Sequence, residues 1–153
     1  MDINKLLKEA GLRLTKQRRL VLKLLMADGS PLSHNEISAR LEVALDKATL
    51  YRVLDTLLAA ELIHRVQGLD GVWRFCAHEH AGKEDADVGQ HYRHVGDDKT
   101  FCLTGHPHFQ CLECGKMSCL TDQRIQRVEV PEGATVEGKQ LIVYGRCREC
   151  NKK

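Results

Sequence analysis

Apolar positions recur at helical spacing through the first 60 residues and then change to short runs of strand-like period. Residues 2–10 predict a short helix, closed by a turn at Gly11. Thr15 is placed to cap a second helix, whose apolar stripe is Leu20, Val21, Leu24 and Leu25. The stretch DGSP (28–31) ends that helix, because Gly and Pro interrupt helices. Ser33 and Glu36 have the S-x-x-E spacing of a capping box and open a third helix through Leu41. Asp46 can cap a fourth helix, in which Leu50, Val53, Leu54, Leu57 and Leu58 make the inward face. Lys47, Tyr51, Arg52 and Asp55 lie largely off that face. ELIHRVQ (61–67) and VWRFCAH (72–78) then predict two strands joined by GLDG, where Gly68 and Gly71 permit a tight turn.

Short helices followed by a hairpin describe a winged helix-turn-helix, with the fourth helix entering the DNA major groove and the hairpin serving as the wing. Small domains of this pattern also mediate protein contacts, so the pattern alone does not settle the function. Tyr51 and Arg52 are the candidates for base or phosphate contact, since a tyrosine ring packs on a thymine methyl and a guanidinium forks onto guanine or phosphate. Lys16, Arg18 and Arg19 are placed to meet phosphates near the start of the second helix, and Arg13 to reach the minor groove or backbone. His64 is expected at the surface of the wing.

Charge sharpens this division. The net formal charge of the 153-residue chain is only +2, yet Lys16, Arg18, Arg19 and Lys23 crowd the first part. Glu79, Glu84, Asp85, Asp87, Asp97 and Asp98 lie in the middle. A nucleic-acid surface is therefore expected in the first half. The start MDINKLLKEAG has no signal-peptide pattern and no apolar run is long enough to span a bilayer, which points to a cytoplasmic protein without membrane contact. In that compartment the 7 cysteines read as metal ligands rather than disulfides.

Their spacing is specific. Cys111-x-x-Cys114 and Cys147-x-x-Cys150 are two pairs that can each supply one edge of a tetrahedron, the makings of a closed four-thiolate zinc site. A closed site implies structure rather than catalysis, and the second pair follows a probable strand, LIVY (141–144). TDQRIQRV (121–128) predicts a short helix, and ATVEG (134–138) and KQLIVYG (139–145) predict strands. His106 and His108 alternate about Pro107, so both imidazoles leave an extended segment on one side. Cys119 and Cys76 can join them in a site of two nitrogens and two sulfurs, suited to Zn²⁺. Cys76 would bring a donor from the first half to a site otherwise built in the second, the physical basis of a metal switch. No HExxH or deaminase-like pattern appears, which argues against an enzyme with catalytic zinc; a zinc-dependent adaptor would leave Tyr51 and Arg52 without a role.

AGLRLTKQR (10–18), LSHNEISARL (32–41), KATLYRVLDTLLAAELI (47–63), HPHFQCLECGKM and YGRCREC together resemble the ferric-uptake-regulator superfamily of bacterial metalloregulators over nearly the full length. The resemblance implies an α/β chain: an N-terminal winged helix-turn-helix domain (1–77) and a small C-terminal α/β dimerisation domain (106–153). It implies a homodimer that binds double-stranded, palindromic operator DNA when metal-loaded. On that resemblance Tyr51, Arg52 and Arg13 match DNA-contacting positions, Cys111, Cys114, Cys147 and Cys150 match structural zinc ligands, and His106 and His108 match the regulatory site. Where iron regulators commonly have acidic ligands this chain has Cys76 and Cys119, and thiolates favour zinc over ferrous iron. The expected function is therefore a zinc-responsive repressor of metal uptake genes, most like the zinc-uptake regulators, with an iron-responsive regulator, or Fe²⁺ or Mn²⁺ as effector, the alternative. Gln126 and Lys139 stand near the ligand positions of the family's optional third site, which is expected to be absent. The segment 78–105 is much longer than the family's, and carries His78, His80, His91, His94 and Cys102. These are candidates for an extra metal site, and Cys102 is the rival of Cys119.

Overall fold

The computed structural model describes residues 2–77, 106–123, 129–135 and 140–152. The first domain begins with α1 (Ile3–Glu9) and α2 (Lys16–Asp28). Thr15 caps α2 by accepting from the Arg18 amide at 3.3 Å, and Gly29, at φ 67°, ends it in the left-handed conformation that glycine adopts without steric penalty. The buried residues of α2 are Val21, Leu22 and Leu25. Leu22 thus takes the place expected of Leu20, which stays half-buried, while Leu24 packs partly against the core.

A two-residue strand, β1 (Leu32–Ser33), precedes α3 (His34–Arg40) and is absent from the sequence expectation. Its origin is the cap itself: Ser33 is extended at φ −69° and ψ 163°, as an N-cap must be, so the residues entering the helix can pair with a neighbouring strand. The capping box is complete. Ser33 Oγ accepts from the Glu36 amide at 3.3 Å, and Glu36 Oε2 accepts from the Ser33 amide at 2.8 Å. Asp46 caps α4 (Lys47–Ala59) by accepting from the Thr49 amide at 2.9 Å. Leu50, Val53, Leu54, Leu57 and Leu58 all point inward, as their spacing requires, and join Leu7, Val21, Leu25 and Ile37 in one core.

The hairpin consists of β2 (His64–Gln67) and β3 (Trp73–Cys76), each shorter than its apolar run suggests. β1 pairs with the other side of β3, giving the order β1-β3-β2. The helix-turn-helix and its wing are therefore hydrogen-bonded into one body.

In the second domain β4 (His108–Cys111) lies between β5 (Met117–Cys119) and β6 (Ile142–Gly145). β4 pairs antiparallel with β5 and parallel with β6: β5 returns the chain to the start of β4, where Leu120 N donates to Pro107 O at 2.9 Å, and β6 sets out again from that same end, where His108 N donates to Leu141 O at 2.9 Å. A single 3₁₀ turn, Cys150–Lys152, follows. Of the expected helix over 121–128, Thr121 and Asp122 form a turn, and 124–128 lie outside the described residues. The expected strand over 134–138 does not begin at Ala134, whose amide donates to the Pro131 carbonyl at 3.0 Å in a turn; residues 136–139 lie outside the described residues. Among the described residues no helix is long and apolar enough to cross a membrane.

Candidate metal centres and nucleic-acid interface

The four-cysteine cluster stands on two turns. β4 ends at Cys111, and the chain folds back through Cys114 with Gly115 at φ 71°, the left-handed position of that turn. β6 lies parallel to β4 and delivers Cys147 alongside: Leu112 N donates to Gly145 O at 2.7 Å and Cys147 N donates to Cys111 Sγ at 3.3 Å. The donor atoms of Cys111, Cys114, Cys147 and Cys150 all lie within 4.8 Å of one another. Cys114 Sγ and Cys147 Sγ are 3.9 Å apart, close to the roughly 3.8 Å edge of a tetrahedron with Zn–S bonds of about 2.3 Å.

Electrostatics point the same way. Amides of Cys114 and Cys147 draw the Cys111 thiol down to about 6, while the hydrogen bond to Cys147 and burial push Cys150 up to about 12. One thiolate in this cluster thus opposes the next, and a divalent cation is the group that lets all four ionise together. The residues fit a closed structural metal site. Lys116–Glu149 at 3.3 Å and Arg146–Glu113 at 3.7 Å also join the two turns, but both pairs are exposed and add little.

A second group of donors lies between the domains. Cys76, at the end of β3, is fully buried, and its Sγ is 2.8 Å from His64 Nε2. His64 is itself buried, which overturns the expectation of a surface histidine on the wing. The hairpin register explains it: a turn that sets Gln67 opposite Trp73 sets His64 opposite Cys76. The chain's pairing pattern carried that signal, and reading His64 apart from its cross-strand neighbour concealed it. From the other domain come His106 and His108, with ring centroids 4.6 Å apart; His106 packs edge-on to His64 at 5.2 Å. Cys119, on β5, sits opposite His108.

These five residues form two overlapping triads, His64–Cys76–His108 and His106–His108–Cys119, with the donor atoms of each triad within 4.8 Å of one another. Among the described residues, both ring nitrogens of His108 are buried without a hydrogen-bond partner. A buried imidazole left so is expensive unless it meets a cation, so the donor chemistry fits a metal ion here also. Cys119 stands in the cluster. Cys102, His78, His80, His91 and His94 lie outside the described residues, as does Gln126, and so does Lys139.

The expected DNA-contacting side chains share the outer surface of the first domain. Tyr51 and Arg52 are exposed on α4, opposite its buried face. The Tyr51 ring stacks on His34 with centroids 4.2 Å apart and planes 24° from parallel, and Lys47 Nζ lies 6.0 Å from the same ring. The pair belongs to an open cleft of about 650 Å³ bounded by α3, α4, the hairpin, and Cys114 and Gly115. Arg13, Lys16 and Arg19 are exposed, and the Arg18 guanidinium donates to the Arg13 carbonyl at 2.8 Å. His34, which the expected DNA contacts did not include, is what the structure adds to this surface.

A winged helix joined to a small sheet domain, with a four-thiol cluster in the second domain and an imidazole–thiol cluster between the two, defines the class of metal-dependent transcriptional regulators. The model of the ferric uptake regulator family matches residues 9–88, more than half of the 153-residue chain, and the chain belongs to that family. It is a regulator and not an enzyme. The ferric uptake regulation protein of Shigella flexneri is 28% identical over 97% of this chain and 90% of its own length. That of Escherichia coli K12 is 27% identical over the same shares. The Vibrio cholerae ferric uptake regulator has a similar fold, with a TM-score of 0.58 at 22% identity over 95% of this chain and 100% of that one. A zinc uptake regulator complexed with zinc and DNA has a TM-score of 0.58 at 21% identity over 97% of this chain and 90% of its own.

Proposed function

We propose that the protein is a zinc-responsive repressor of metal uptake genes that binds palindromic operator DNA as a homodimer. In this reading residues 1–77 bind DNA, 106–153 dimerise, and 78–105 join them. The observation that carries it is the donor set between the domains: among the described residues, imidazoles and thiols with no carboxylate in either triad. Such donors suit Zn²⁺ better than Fe²⁺ or Mn²⁺, which take oxygen ligands more readily. Cys111, Cys114, Cys147 and Cys150 hold a permanent structural Zn²⁺. His64, Cys76, His106, His108 and Cys119 supply the ligands of the sensing ion, which when bound draws together donors from both domains. Tyr51, Arg52, Arg13, Lys16, Arg18 and Arg19 then meet the operator. Leu141, Val143 and Tyr144, on and beside the edge strand β6, are more than 40% exposed and suit burial against a second copy.

Overall likeness favours a second reading, an iron-responsive regulator, because the curated relatives compared above are ferric uptake regulation proteins. That likeness is carried by the whole chain, whereas the effector is chosen by the few donors that touch it. DNA selected by the metal-loaded protein, titrated under buffered free Zn²⁺, Fe²⁺ and Mn²⁺, separates the two. The zinc reading expects binding at the lowest free concentration of Zn²⁺, weakened by Cys76→Ser and His64→Ala with the structural zinc retained. Equal activation by Fe²⁺, with neither substitution having an effect, would overturn it.

A further inference from the structure

His106, His108 and Gln110 follow one another at alternate positions, and all three are buried. One side of the β4 segment therefore faces the first domain. There His106 and His108 meet His64 of β2 and Cys76 of β3, both of them buried too. The thiol–imidazole cluster occupies one end of this contact. The other end is a polar seam that uses no metal donor. Leu69 N, in the wing turn, donates to Gln110 Oε1 at 2.7 Å. Arg74 Nη2 donates to the carbonyl of Gly115, beside Cys114, at 3.3 Å. Gln67 N donates to Gln140 Oε1 at 3.1 Å, and Gln140 Nε2 donates back to Gln67 O at 2.8 Å. Asp70 holds the Arg74 guanidinium in place through two hydrogen bonds of 2.9 and 2.7 Å.

We propose that Gln110, Arg74 and Gln140 are positioning residues for the sensing ion. They hold the wing turn on the second domain, assemble the two halves of the cluster before an ion arrives, and so set the metal concentration to which the protein responds. The proposal rests on the cluster being the sensing site. The donors come from two domains, so apparent affinity is the intrinsic affinity scaled by the fraction of molecules with the domains closed. Any contact that favours closure without touching the ion raises that fraction. The effect is reciprocal: an ion that favours closure must tighten the seam by the same factor. The Gly115 contact adds a second connection, since the four-thiolate turn that an ion would order is the one that presents this carbonyl to Arg74.

The test uses the full chain with its structural zinc in place and Zn²⁺ as the probe. Chelator competition gives the free Zn²⁺ that half-fills the second equivalent, in wild type, Gln110→Met and Gln140→Ala. Loss of one hydrogen bond in Gln110→Met should raise that concentration roughly fivefold, and loss of two in Gln140→Ala by at least as much. The first equivalent and DNA affinity at saturating Zn²⁺ should stay as in wild type, which a general loss of structure would not allow. In wild type the amides of Gln67 and Leu69 should exchange more slowly once the second equivalent binds. Gln140 is exposed, so its variant keeps the test open if Gln110→Met does not fold. Unchanged half-filling in folded variants, or amide protection indifferent to the second equivalent, overturns the seam alone. A wild type that takes up no second equivalent overturns the sensing site and the seam together.

Discussion

Gly68→Ala tests whether the wing turn is packed as tightly as the structure shows. Gly68 lacks the left-handed φ of Gly71, so its requirement is one of space. A methyl group there would overlap Arg74 Nη1, come within 2.5 Å of Asp70 Oδ1 and crowd Gln110 Nε2 at 3.1 Å. Something must move. If Arg74, whose side chain is 8% exposed, lost Asp70 altogether, the buried charge would cost about 3–5 kcal/mol. Asp70 is 39% exposed and can swing toward water, which leaves the smaller overpacking cost of about 1–3 kcal/mol. The expected loss is about 2 kcal/mol, or roughly 4–8 °C in Tm for a chain of this size. Gly71→Ala is the control: its φ is 73° with no atom within 4 Å of the added methyl, so only the backbone cost of about 1 kcal/mol applies. Thermal and urea unfolding with the same buffered free Zn²⁺ in every sample gives both numbers. The reasoning is refuted if Gly71→Ala costs as much as Gly68→Ala, or if Gly68→Ala leaves stability within about 0.5 kcal/mol of wild type.

His34→Ala should lower operator affinity roughly threefold to tenfold, the equivalent of an aromatic pair worth about 0.5–1.5 kcal/mol, with no change in the Zn²⁺ midpoint; fluorescence anisotropy on operator DNA reads both. Leu54→Ala removes a fully buried side chain from the helical core and should cost about 2–5 kcal/mol in urea unfolding. Ser33→Ala should cost about 0.5–2 kcal/mol and flatten the acid limb of stability. Burial pushes the Glu36 carboxyl up, but the Ser33 hydroxyl and amide outweigh it and hold it below the usual value. A carboxyl lowered in the folded state contributes stability above its unfolded value of about 4.3, and that contribution is lost as pH falls through the folded value. Urea midpoints of Ser33→Ala and wild type should therefore converge with acidification. Removal of the structural ion by a strong chelator should expose the amides of Leu112 and Cys147 to exchange before those of α4; simultaneous loss would show that the two domains unfold as one.

Local chemistry made most of the first domain legible. The caps at Thr15, Ser33 and Asp46 work through side chains three residues from their partners, so they can be read from a line of text. The inward face of α4 was equally plain, because five leucines and valines at helical spacing admit one orientation. What failed was non-local. β1 exists only because β3 passes beside the residues leading into α3, and β5 because β4 has two sides to pair. His64 looked like a polar residue near a turn until the register placed it against Cys76. Cysteine spacing identified the four-thiolate cluster, since each pair closes locally. The second cluster draws on segments far apart in the chain, and sequence supplied four of its five members.

The exchange of hydrogen bonds between Gln67 and the Gln140 side chain has a further consequence. Among the described residues β2 is the outer strand of its sheet, and the backbone of Gln67 turned away from β3 would otherwise be a ready place for a stranger's strand to pair. The primary amide of Gln140 presents one donor and one acceptor, as a peptide group would, and takes the place at which a further strand would pair. At the opposite margin β1 offers only two residues. Both margins of the wing are thus poor places for edge-to-edge association, one because a side chain occupies it and the other because it is short.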